Sequence, residues 1–365
     1  MSDPLNTVKR RVRELDAYSL RPDRARIKLN QNESPWDAPA EIKQETLRRI
    51  SLRPWSRYPD FVPRQFYERL AEFAGWQPDG IIAGNGSNEM IQALLMVTVG
   101  EGKRILISEP TFLLYRQITT VLGGDTISVP LTPQLTYDVN AKKSEIQSSN
   151  PDVTIICSPN NPTGCVIDRA DLVSLLESTR GIVVVDEAYF EFSRQTVVSL
   201  LRQYPNLIVL HTFSKAMGMA GLRIGYLLAA PELTREIAKA ILPGNLNLFS
   251  RTAAEVAMEF YETALKPRIE TIIHERDRLY LGLQDISGLT PVRSQANFMA
   301  VRSAIAPRCV LEELLRRDIL IRDVSNYPML KDYFRITVGK PDENDELLTG
   351  LREIFSERYT VADWS

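Results

Sequence analysis

The middle of the chain alternates short apolar runs with stretches in which apolar residues recur at helical spacing. The segments "RILISEP" (104–110), "DTISVP" (125–130), "VTIICSP" (153–159), "GIVVVDEAY" (181–189) and "NLIVLHTFS" (206–214) are short and mostly apolar, and they run into polar loops. That pattern predicts strands. Between them, "NEMIQALLMVTV" (88–99) sets Ile91, Leu94 and Leu95 on one face at i, i+3, i+4, and "RADLVSLLEST" (169–179) behaves alike. Both predict helices. Strands alternating with helices predict an α/β fold with a mainly parallel sheet flanked by helices.

After about residue 245 the pattern changes. A long helical region (250–286) precedes "ANFMAVRS", "ILIRDVS" and "YFRITVG", strand-like pieces with a helix at 308–317. The expected organisation is therefore an N-terminal arm over 1–40, a large α/β domain over 41–245 and a small α+β domain over 246–365. The junction is expected in "LPGNLNLFS" (242–250), where Pro and Gly break the preceding helix. The arm is expected to pack on the small domain or on a partner subunit.

Composition narrows the function classes. The 365 residues are 44% hydrophobic and 25% charged with a formal net charge of −2, which gives no reason to expect a nucleic-acid or anionic-membrane partner. Cys157, Cys165 and Cys309 are too few and scattered for a disulfide framework or a zinc pair, and His211 and His274 are the only histidines. No metal site and a reducing, cytoplasmic setting are expected. No apolar run reaches the ~18–20 residues of a membrane helix. The arginine-rich start carries Asp3, Glu14, Asp16 and Asp23, acids that transit peptides avoid, so it reads as a mature arm or first helix.

In an open α/β sheet the ligand crevice lies beyond the carboxyl ends of the strands, and four loops there carry chemistry. "GNGSNE" (84–89) sets Gly86, Ser87 and Asn88 at a helix start, a corner suited to a phosphate or to a bare tight turn. Glu89 takes the place of a third dinucleotide-fingerprint glycine, which disfavours NAD. "CSPNNPTG" (157–164) offers the Asn161 amide or a simple turn. "VVVDEAY" (183–189) ends an apolar strand on Asp186, which either meets a cation or protonated ring nitrogen or caps the next helix; Tyr189 follows. "HTFSKAMGMAGLRIGY" (211–226) holds Lys215, a candidate nucleophile toward an aldehyde, between Ser214 and Arg223. Together the loops offer a phosphate corner, an oxygen donor, a carboxylate for a ring nitrogen and an amine. Those are the four needs of pyridoxal 5'-phosphate (PLP).

At this point the chain resembles the histidinol-phosphate aminotransferase family, within the aspartate-aminotransferase superfamily of fold type I. The likeness runs through "KLNQNESPW" (28–36), "RYPD" (57–60), "GNGSNE", "EPTFLLY" (109–115), "SPNNPTG", "VVVDEAY", "TFSKAMGMAGLRIGY" and "FRITVG" (334–339). It implies PLP as cofactor, with Lys215 holding the aldehyde and shuttling a proton and Asp186 keeping the ring nitrogen protonated. It implies Tyr189 and Asn161 on the phenolic oxygen, and Gly86, Ser87, Asn88, Thr212, Ser214 and Arg223 at the phosphate. Phe112 matches the stacking aromatic, with Tyr115 an alternative.

The resemblance also implies a homodimer in which Tyr58 reaches the neighbour's cofactor phosphate. Arg335 and Arg322 are implied as anchors for the substrate's anion, and Tyr18 and Asn32 as residues that close over it. For Arg322 a surface salt bridge with Asp323 is the other reading. The first-choice reaction is L-histidinol phosphate with 2-oxoglutarate; aromatic transamination and phosphothreonine decarboxylation are the alternatives, and a non-catalytic binding module is a remote one. Two departures stand out: His211 where the family often has arginine, and Asn88 where an acidic residue is frequent.

Overall fold

The structure, a computed structural model, describes residues 3–17 and 24–358. In chain order the strands are β1 (Ile27–Lys28), β2 (Ile81–Gly84), β3 (Arg104–Glu109), β4 (Asp125–Pro130), β5 (Val153–Cys157), β6 (Ile182–Asp186) and β7 (Leu207–Thr212). They continue with β8 (Gly225–Leu228), β9 (Leu289–Pro291), β10 (Phe298–Ser303), β11 (Ile319–Leu320), β12 (Arg322–Asp323) and β13 (Tyr333–Thr337). A seven-stranded sheet runs in the order β2-β8-β7-β6-β5-β3-β4. Its pairs are parallel except those of β8, which is antiparallel to both β2 and β7.

Central strands β5 and β7 are buried along their whole length, and β6 along nearly all of it. Helices cover both faces, so these strands read as unbroken apolar runs rather than alternating ones. One face packs Leu106, Ile156, Val183, Val185 and Val209 into a core with Leu172, Leu175 and Leu176. The other packs Ile105, Ile107, Ile155, Val184 and Ile208 against Ile91, Leu94 and Leu95 of the helix Ser87–Thr98.

A separate antiparallel sheet, β12-β13-β10-β9, forms the small domain. Its core joins Met299, Val301, Phe334 and Ile336 to Leu279, Leu283, Leu347 and Leu351. In the arm, β1 pairs in parallel with β11, and Ile27 and Leu29 sit in the small-domain core. The arm's first segment instead touches the large domain, where Lys9 Nζ donates to Val121 O (3.0 Å) and Arg11 pairs with Asp125 (2.9 Å).

The change of core does not fall at 245. The helix Leu248–Glu259 packs against the helices Ala40–Ser51 and Arg64–Ala74, and its Ala254, Val256 and Ala257 belong to the large-domain core, as does Leu265. The expected long helix is also divided, by a π-turn at Tyr261–Leu265, before Lys266–Gln284 continues to the small domain. Pro267 supplies no N–H, so it suits the first turn of the second helix.

Candidate active site

The sheet topology brings the four loops together. Strands β2, β5, β6 and β7 run the same way, so the segments after Gly84, Cys157, Asp186 and Thr212 emerge at one edge. Because β8 runs the other way, Arg223, just ahead of it, lies at that same edge. There they enclose a cavity of about 340 Å³ lined by Ser87, Asn88, Phe112, Asn161, Asp186, Tyr189, Thr212, Ser214, Lys215 and Arg223. The small domain and the arm close it with Arg322, Arg335 and Asn32.

The phosphate-type corner lies at the N-terminus of the helix Ser87–Thr98, where free N–H groups and the helix dipole favour an anion. Gly86 precedes it with φ +82°, and a Cβ there would stand 2.6 Å from the Arg223 guanidinium. Gly225 is equally constrained, since its Cβ would lie 2.2 Å from the Ser87 nitrogen. Arg223 Nη1 donates to Ser214 Oγ (3.3 Å), and Thr212 Oγ1 donates to Ile224 O (3.0 Å). Glu89 staples this loop: Oε2 accepts from the Asn85 N–H (2.5 Å) and from Asn245 Nδ2 (3.1 Å).

Asp186 is buried at the end of β6. Tyr115 donates its hydroxyl proton to Oδ2 (2.6 Å), and the Ala188 N–H donates to Oδ1 (3.1 Å). Burial raises its pKa and these bonds work against the rise. The helix Phe190–Ser193 is capped at Tyr189, so Asp186 is not its cap.

Lys215 Nζ donates to Gln31 O (3.0 Å) and stands 5.9 Å from the centre of the Tyr189 ring. Burial, then the nearby Arg335 guanidinium, lower its pKa to about 8. Tyr189 Oη accepts from Asn32 Nδ2 (3.0 Å), which leaves the Tyr189 proton free to be donated elsewhere. Arg335, buried, donates from Nη1 to Asn161 Oδ1 (2.7 Å) and from Nη2 to Asn30 O (2.8 Å). Arg322 stands opposite Arg335 in the β12–β13 register, so the two side chains leave the same face of the sheet. Asp323, the other partner considered for Arg322, accepts from the Ser325 N–H (2.8 Å).

Not every expectation meets at the cavity. Phe112 lines it, whereas Tyr115 is fully buried behind Phe112, with ring centres 5.6 Å apart and planes at 86°. Tyr115 is therefore not the aromatic that faces a ligand. Tyr58 is 90% exposed, outside the lining of this chain's own cavity. Tyr18 lies outside the described residues. Asn32 sits at the rim, yet its side chain is engaged with Tyr189 and Thr337, which makes it a strut as much as a lid.

His211 is not in the cavity lining: it is buried between Glu187 (2.7 Å) and the Tyr226 hydroxyl (3.0 Å), stacked on Phe190. Asn30, Gln31, Leu114, Cys157, Ala188 and Tyr327 also line the cavity, outside the residues that the sequence singles out. The first five adjoin quoted motif positions or lie inside quoted segments, a signal available in the sequence; Tyr327, in a loop after β12, carried none.

Residues 24–351 match the family model for aminotransferase class I and II, and the chain belongs to that family. Its relatives place it more narrowly. The chain is 40% identical, over 95% of its length and 96% of the relative's, to the histidinol-phosphate aminotransferase of Chlorobium phaeobacteroides. It is 38% identical to that of Chlorobium phaeovibrioides over 94% of the chain and 95% of the relative. Among solved structures, the histidinol-phosphate aminotransferase of Sinorhizobium meliloti in complex with PLP superposes with a TM-score of 0.83 at 25% identity, covering 91% of each chain. That of Clostridium acetobutylicum has a TM-score of 0.83 at 23% identity, covering 91% of this chain and 100% of its own.

Proposed function

We propose that this chain is a PLP-dependent aminotransferase that moves the amino group of L-histidinol phosphate to 2-oxoglutarate, giving imidazole acetol phosphate and L-glutamate. The donor set suits the cofactor. An anion corner with room made by Gly86, a buried carboxylate and a lysine with a lowered pKa face one cavity. Bound there, PLP supplies an aldehyde for amine chemistry and a pyridinium ring that withdraws electrons from the reacting carbon.

The chain's own residues do the rest. Arg223, Ser214, Thr212 and the N–H groups at Ser87 and Asn88 hold the phosphate, and Asp186 pairs with the ring nitrogen. Asn161 and Tyr189 orient the phenolic oxygen, and Phe112 covers the ring. Lys215 would hold the cofactor at its aldehyde; once the substrate's amine takes its place there, the freed Nζ would take a proton from the carbon bearing that amine and give one back.

The observation that carries the substrate is the Arg322–Arg335 pair, opposed in register on one face and both lining the cavity. Two arginines lining one cavity suit a phosphate monoester dianion better than a single carboxylate. The test is an absorbance titration of the PLP-loaded protein. L-Histidinol phosphate is expected to bleach the visible cofactor band at low concentration while L-phenylalanine does not. The reverse order would turn the arginine pair into a carboxylate site for aromatic amino acids.

The working form in this reading is a cytoplasmic homodimer. Trp55, Tyr58, Phe61 and Val62 are 79%, 90%, 61% and 77% exposed along one short stretch. Apolar side chains massed this way suit burial against a second copy, with Tyr58 reaching the neighbour's phosphate corner. No described helix is long and apolar enough to cross a membrane.

A further inference from the structure

Behind the cavity, Tyr115 makes an interaction that the roles above do not use. It is completely buried and outside the cavity lining, on the helix Leu114–Leu122. Its hydroxyl lies 2.6 Å from Asp186 Oδ2, and its ring meets the edge of Phe112. The other groups acting on Asp186 come from its flanking strands and its own chain. Cys157 pairs with it in register on β5, with its thiol held neutral by burial. His211 on β7 acts from the other side, Glu187 is the next residue, and the Ala188 N–H takes Oδ1. Glu187 opposes ionisation of Asp186, and His211 favours it. Tyr115 is thus the one side chain donating a hydrogen bond to the carboxylate among the described residues.

We propose that Tyr115 is the positioning residue for Asp186: its O–H holds the carboxylate ionised and aimed so that it pairs with the cofactor's ring nitrogen. This rests on the PLP reading above. Removing the hydroxyl leaves Oδ2 without its partner in a site where burial already disfavours charge. The penalty falls only on a ligand that needs the carboxylate charged. A ligand with CH in place of the ring nitrogen does not need it.

The experiment measures dissociation constants of the apoprotein for PLP and for its deaza analogue, in which CH replaces the ring nitrogen, in wild type and Tyr115→Phe at pH 7.5. Wild type is expected to prefer PLP. The variant is expected to bind PLP about tenfold more weakly, the scale of one hydrogen bond to a charged group, while its affinity for the analogue stays within about twofold. Unchanged analogue binding also certifies that the variant is folded and that Phe112 still stacks.

If Tyr115→Phe weakens both ligands equally, Tyr115 only supports the stacking wall and the proposal falls. If the variant keeps the full preference for PLP, the proposal falls alone. If wild type shows no preference for PLP over the analogue, Asp186 is not the ring-nitrogen partner, and that part of the PLP reading falls with it.

Discussion

At Lys215 the role proposed above has a measurable signature. Burial and Arg335 both disfavour the ammonium form, which puts its pKa at about 8 against an ordinary 10.5. The sign follows directly: the neutral amine, the nucleophilic form, is populated from pH 8 upward rather than from 10.5. The rate at which apoprotein captures PLP is expected to rise through pH 8 and then level off, while that of a free alkylamine keeps rising toward 10.5. Arg335→Gln should move that midpoint upward, because it removes the second cause of the depression. A midpoint near 10.5 in the wild type would mean that the cavity is wet enough to solvate the charge. The lysine was legible from its setting after an apolar strand; its carbonyl partner at Gln31, far away in sequence, was not.

Among the elements, the strands were the most legible and the corner at Gly86 and Ser87 the most informative. Buried parallel strands such as Val153–Cys157 announce themselves as unbroken apolar runs, because both faces are covered. The change of core is hidden in the sequence for a related reason. The helix Leu248–Glu259 is rich in small residues, Ala253, Ala254 and Ala257, which pack closely on the large domain without marking it in sequence. A π-turn then breaks the helical period where no single residue type announces it.

At the corner, the loop before Ser87 turns at a φ of +82° that favours glycine, with Arg223 in the space a side chain would fill. Gly86→Ala is therefore expected to push the guanidinium aside and weaken PLP binding by roughly tenfold or more, the loss of a charge-assisted contact. Equilibrium dialysis of the apoprotein measures it. Unchanged affinity would remove Arg223 from the phosphate site.

At the scale of the whole molecule, the question is whether one chain makes a complete site. The cavity gathers residues from the arm and both domains, yet Tyr58 stands 90% exposed in a stretch of exposed aromatic and apolar residues. If Tyr58 serves the neighbour, the functional unit is a pair of chains sharing two composite sites, and mixed dimers reveal it. In a hybrid of Tyr58→Phe with Lys215→Ala, one site inherits both lesions and the other inherits neither. Mixing equal amounts, unfolding and refolding is expected to return about one quarter of wild-type activity at limiting PLP, since about half the dimers are hybrids with one intact site each. Were Tyr58 to act within its own chain, every hybrid site would carry one lesion, and mixing would return no more than Tyr58→Phe contributes alone. A monomeric wild-type protein by sedimentation would remove the exchange altogether and leave the exposed aromatic stretch to some other partner.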